Sequence, residues 1–154
     1  MGWTHCVTVD HSEAHKPAVM CDLEFPPYPF EDDSADEIHA YDVLEHLGQQ
    51  GDWRAFLAQF ADCWRILKPG GFLAAICPSY TSPNAWGDPS HRRVLTPQSL
   101  SFLSQAEYAK QVGVTAMTDF RPWYAADYEP FFVEQGADAF VFVLEAIKPA
   151  RRAA

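Results

Sequence analysis

A chain of 154 residues, 48% hydrophobic and 14% aromatic, is enough for one buried core and too short for a second domain. Its formal net charge of -10 excludes an extensive nucleic-acid surface, which needs clustered Lys and Arg; only the short basic pairs Arg92-Arg93 and Arg151-Arg152 stand against the acidic background. No run approaches about 18 apolar residues, and Met1 to His11 lack the charged start and long apolar segment of a secretory signal, so no membrane partner and a cytoplasmic location are expected.

Thr4 to Val9 is rich in β-formers and closes on Asp10, which predicts a short strand with a carboxylate at its carboxyl end. Ala18 to Asp22, AVMCD, repeats the arrangement. The following EFPPYPFEDDS holds too much Pro for a ladder or a helix interior and is read as a loop across the strand ends. Its Phe25, Tyr28 and Phe30 either line a ligand or anchor the loop to the core. Ile38, Ala40 and Val43 then form an apolar run expected of a buried parallel strand, and Asp42, Glu45 and His46 crowd ionisable groups at its far end.

Asp52 is placed to cap a helix from Trp53 to about Leu67, whose stripe of Phe56, Leu57, Phe60, Trp64 and Leu67 should face a sheet. Lys68-Pro69-Gly70-Gly71 is expected to stop that helix and turn the chain into the strand Phe72 to Cys77. Pro78 to Leu95 reads as a long irregular loop carrying Tyr80, Trp86, Asp88, His91, Arg92 and Arg93, and loops of that length are more often functional than decorative. Thr96-Pro97 opens another helix. Two β-rich runs, Tyr128 to Glu134 and Ala137 to Ile147, predict an antiparallel hairpin apolar on both faces. Residues 1–148 are thus read as one α/β domain and 149–154 as a loose tail. Cys6, Cys21, Cys63 and Cys77 form no C-x-x-C pair and are expected to be reduced and buried.

The order of these pieces resembles the class I S-adenosylmethionine-dependent methyltransferases. Asp22-Leu23, the Pro/Phe-rich loop Pro26 to Phe30, Asp33 to Ile38, Val43-Leu44-Glu45-His46-Leu47, the amphipathic helix, Leu67-Lys68-Pro69-Gly70-Gly71 and Phe72 to Cys77 follow one another as they do in that family, over about residues 5 to 78. The resemblance implies an α/β, Rossmann-like sheet, mostly parallel with a C-terminal antiparallel hairpin, and S-adenosylmethionine as cofactor. It implies that Asp10 takes the ribose hydroxyls, that Asp22 and Leu23 meet the adenine, and that Tyr41 and Asp42 complete the site. The family's opening strand with its G-x-G-x-G turn has no counterpart here, so the chain reads as a truncated form entering the sheet at the family's second strand. Loss of a central strand leaves a gap, a direct pairing of its neighbours, or an edge that needs a partner such as a second copy.

Methyl transfer to an unidentified acceptor needs positioning, and a base only if the acceptor must lose a proton. His46 and His91 are the candidates for that base, with a structural strand-cap role as the alternative for His46. Asp42-x-x-Glu45-His46 also resembles the E-x-x-E-H arrangement with which some members of the family hold a divalent ion, His91 supplying a fourth ligand, although Asp42 is one methylene short. No metal is the primary expectation. The competing reading of the whole chain is an inactive descendant that serves as a binding or assembly module.

Overall fold

The computed structural model describes residues 5–151. The first expected strand shortens to β1 (Val9–Asp10); Thr4 lies outside the described residues. It pairs in parallel with β2 (Val19–Met20), again shorter than its apolar run, and the two form a small separate sheet. Short length follows from the sequence: Ser12, the turn at 13–15 and Pro17 interrupt pairing on both sides.

The main sheet has four strands in the order β3-β4-β6-β5. β3 (Ala35–Tyr41) runs parallel to β4 (Leu67–Pro78), and the helix α1 (Trp53–Ile66) connects them. Asp52 Oδ1 accepts the Ala55 N–H at 3.1 Å, the expected cap. The structure differs at the other end. Lys68 to Gly71 do not lie outside the sheet as a turn; they form a bulge inside β4, between the pairings Ala35↔Leu67 and Glu37↔Phe72. Gly70 takes a φ of 76°, and a Cβ on Gly71 would stand 2.9 Å from the Asp36 carbonyl oxygen, so this Gly-Gly pair is required by backbone geometry.

The segment expected to be irregular from Pro78 to Leu95 instead contains one short helix, α2 (Asn84–Gly87), and is followed by α3 (Pro97–Leu100) with a 3-10 turn at 101–103 and α4 (Gln105–Gln111). Thr96 and Ser99 make a reciprocal capping box around Pro97, as the Thr-Pro pair predicts. The chain closes with the antiparallel hairpin β5 (Tyr128–Gln135) and β6 (Ala139–Ala146), β6 lying against β4.

Side-chain alternation sorts the sheet into two unlike faces. Ala40, Leu73, Ala75, Cys77, Phe140, Phe142 and Leu144 are buried beneath Leu57 and Phe60 of α1, each large side chain contributing about 1.5–3 kcal/mol by leaving water. Their neighbours Phe72, Ala74, Ile76, Val141 and Val143 are only half-buried on the opposite face.

Two expectations about the surface are corrected. Cys6 is exposed and Cys21 and Cys63 half-buried, leaving Cys77 as the one fully buried thiol; all four are free. The segment expected to be loose is tied down as far as Arg151, whose backbone N–H and guanidinium both donate to the buried Asp127 and whose Nη1 donates to Glu129. Residues 152–154 lie outside the described residues. Among the described residues no helix is long and apolar enough to cross a membrane.

Candidate functional site

Parallel strands deliver their carboxyl ends to one edge of a sheet, where backbone pairing stops and side chains from several loops converge. Here β1, β2 and β3 end at Asp10, just before Cys21-Asp22, and at Tyr41-Asp42. A cavity of about 410 Å³ opens between these tips, lined among others by Val9, Asp10, Asp22, Leu23, Asp42 and His46. Four of the five residues expected at a cofactor are thus brought together. Tyr41 is the exception: it does not line the cavity, and its hydroxyl bonds the His39 ring on the exposed side of β3. Alternation explains this, since Tyr41 points away from the face that Ala40 buries.

Asp10 is a prepared acceptor. Its Oδ1 accepts the Ser12 N–H at 2.7 Å and its Oδ2 lies 2.9 Å from His15 Nδ1, and these bonds hold the carboxyl below the ordinary aspartate range. Asp22 Oδ1 accepts the Glu24 N–H at 3.0 Å. The aromatic loop divides by role. Tyr28 is buried, its N–H donating to Asp62 and its hydroxyl to the Leu23 carbonyl, so it anchors the loop; Phe25 remains exposed.

The strand tip after Asp42 is a 3-10 turn, Leu44–His46, to which the long loop is stitched. The Arg92 and Arg93 N–H groups both donate to the Glu45 carbonyl, Arg93 Nε donates to the Leu44 carbonyl at 2.7 Å, and the Gln50 N–H donates to the Arg92 carbonyl. Arg92 pairs with Glu24, whose other oxygen accepts the Gly48 N–H. The basic pair of the sequence is therefore no surface patch. Arg93 is buried and its ionisation is weakened by desolvation. Glu24 had no signal in the sequence, because a Pro-rich loop is normally solvent-facing, and the burial of Arg93 had none because a dibasic pair normally is too.

This stitching places His91 against His46, with ring centroids 4.9 Å apart and nearly perpendicular. Ligand atoms of Glu45, His46 and His91 all lie within 4.8 Å of one another, and Asp42 is not part of the group. Asp42 sits at a φ of 52° at the strand tip. Glu45 is 3% exposed, burial pushes its carboxyl up, and its Oε2 and the His91 Nδ1 have no hydrogen-bond partner among the described residues. Cys77 lies beside it, its thiol raised by burial and by that carboxyl. The group contains both a hard oxygen donor and two imidazoles, a set suited to proton transfer or to a divalent ion.

The family profile described as "Methyltransferase domain" matches residues 4–75, the span from before β1 to the middle of β4. Among solved structures, a SAM dependent methyltransferase from Archaeoglobus fulgidus is similar at 16% identity and a TM-score of 0.57, over 89% of this chain and 74% of that one. The YcgJ protein from Bacillus subtilis is similar at 14% identity and a TM-score of 0.49, over 88% and 71% of the two chains. No curated protein matches the chain. The Archaeoglobus comparison shows the fold, a mixed Rossmann-like sheet with its antiparallel strands last.

Proposed function

The matched segment and the shared fold support the class I S-adenosylmethionine-dependent methyltransferase family, and from that premise we propose that the chain binds S-adenosylmethionine at the tips of β1, β2 and β3 and transfers its methyl group to an acceptor beside the long loop. The observation that carries this reading is the cavity lined by Asp10, Asp22, Leu23 and Asp42. Its volume of about 410 Å³ suits a nucleoside-sized ligand. Its carboxylates offer acceptors for hydroxyl and amino donors and a negative environment for a cation.

Bound there, S-adenosylmethionine supplies an electrophilic methyl on a positively charged sulfur. Asp10 holds hydroxyl donors, Asp22 and Leu23 face the base, and Asp42 adds negative charge at the strand tip. His46 or His91 takes a proton from an acceptor that must lose one. The acceptor's chemical class is left open, and the protein works in the cytoplasm.

Titration calorimetry of the full chain with S-adenosylmethionine tests the reading. Binding is expected, and Asp10→Asn should weaken it about tenfold to a hundredfold, since charge-assisted hydrogen bonds each contribute about 1.5–3 kcal/mol. Absence of heat at millimolar ligand sinks the reading.

The grouping of Glu45, His46 and His91 favours one refinement, in which the three hold a divalent ion that orients the acceptor oxygen. Equilibrium dialysis with Mn²⁺ and with Zn²⁺ should then show one site, lost in His91→Ala. No retained ion leaves the histidines as base and structural cap.

A further inference from the structure

A guanidinium carries N–H donors on three nitrogens, and a buried one needs an acceptor for each. Arg93 is 6% exposed, yet only its Nε is engaged, donating to the Leu44 carbonyl; Nη1 and Nη2 have no hydrogen-bond partner among the described residues. The nearby carboxylates are committed elsewhere. Glu24 is held by Arg92 and the Gly48 N–H, and Glu45 keeps a carboxylate oxygen within 4.8 Å of His46 and His91. The Arg93 guanidinium lies over the Phe56 ring, 5.6 Å from its centroid, and both residues line a cavity of about 210 Å³. Aromatic side chains build much of the remaining wall: Trp53 stacks on Phe120 at 4.8 Å, and Phe102 meets Phe120 edge to face at 5.8 Å. Among the described residues, none lines both this cavity and the one at the tips of β1, β2 and β3.

We propose that this cavity is a second ligand site that takes a small aromatic monocarboxylate, its carboxylate on the Arg93 Nη atoms and its ring among Trp53, Phe56, Phe102 and Phe120. The unused nitrogens of a planar guanidinium match the two oxygens of a carboxylate, which sets the anionic group. The aromatic wall sets the body, because rings gain from offset and edge contacts with one another. Size sets its extent: the volume lies below the roughly 300–1,000 Å³ of drug-sized pockets, which leaves room for about one ring. Charge limits the ligand to a single negative group. Asp52 lines the same cavity and the chain carries a formal -10, so a dianion such as phosphate is repelled more than one buried cation attracts it. The ligand in turn supplies the partner that a buried charge requires. Arg93 also donates its backbone N–H to the Glu45 carbonyl, so occupancy firms the segment that sets His91 against His46.

The probe is benzoate, titrated at neutral pH into the full chain without S-adenosylmethionine and followed by calorimetry and by amide NMR. Saturable heat is expected, with signal shifts at Gln50 and Val94 on the cavity wall and slower exchange of the Arg93 N–H. Benzamide, which keeps the ring and loses the charge, should bind at least about tenfold more weakly, and acetate and inorganic phosphate should not displace benzoate. Arg93→Gln should lose at least about tenfold in affinity, with circular dichroism checking its fold. Phe102→Trp, which fills the cavity and leaves Arg93 in place, should lose as much, so the proposal stays open to refutation if the Arg93 variant does not fold. No heat at about 20 mM benzoate, equal binding of benzamide, parental affinity in either folded variant, or shifts centred on Asp10 and Asp22 overturns the proposal. None of these readouts involves the cofactor, so this site and the proposed methyl transfer can fail independently.

Discussion

Asp62→Ala should destabilise the fold by about 2–3 kcal/mol, acting through the loop that closes the candidate site. Asp62 sits on α1, 7% exposed, where its Oδ2 accepts the Tyr28 N–H at 2.6 Å and its Oδ1 accepts Arg65 Nε at 2.6 Å. Removing the carboxylate strands the buried Tyr28 N–H, which costs about 1–3 kcal/mol. Arg65 keeps its bonds to Asp32 and to the carbonyls of Tyr28 and Phe30 and is partly exposed, so its share is below about 1 kcal/mol. For a chain of this length the sum corresponds to a fall in Tm of roughly 5–10 °C. Urea unfolding should show a lower midpoint at an unchanged slope, and Asp62→Asn, which retains one acceptor, should recover part of the loss. A change below about 0.5 kcal/mol with the Tyr28 amide still protected from exchange would refute the claim that this bond holds the loop.

Three other perturbations probe separate parts of the molecule. Asp119 accepts two bonds from the Arg121 guanidinium, which hold its carboxyl down at about 2 against an ordinary value of 3.8. Because the folded value is the lower one, the stabilisation is complete above about pH 4 and is lost as pH falls through about 2. Melting curves between those limits should fall less steeply in Asp119→Asn than in the parent. Gly71→Ala should cost on the order of 2 kcal/mol, since the added Cβ would meet the backbone oxygens of Asp36 and Lys68 at 2.9 and 3.0 Å; an unchanged urea midpoint would contradict the bulge geometry. Under a thiol-specific reagent at pH 8 Cys6 should label first, while Cys63, raised to about 12 by burial, and the buried Cys77 stay unreacted until unfolding. Equal native rates for the three would count against the packing of α1 on β4.

The local rules written into the sequence held wherever a residue acts on its own neighbours. Asp52 and Thr96 mark helix starts because a side-chain oxygen reaches an N–H three residues on, and the hairpin follows from two neighbouring β-rich runs. The acidic strand ends at Asp10 and Asp22 were legible for the same reason. Lys68 to Gly71 misled because a Pro-Gly-Gly run signals a turn equally well outside a sheet or as a bulge within it, and only the pairing of Leu67 with Ala35 distinguishes the two.

What the chain could not declare by itself is everything that depends on who lies opposite. His46 and His91 meet because the segment 88–93 is bonded to the turn after β3, and that docking buries Arg93 and Glu45, both residues of a type normally in water. Tyr41 turns away from the cavity while Asp42 lines it, a choice made by the direction of one strand. Sequence fixes periodicity, caps and strand ends through contacts a few residues apart; burial and adjacency arise from packing between distant segments, and only the assembled fold decides them.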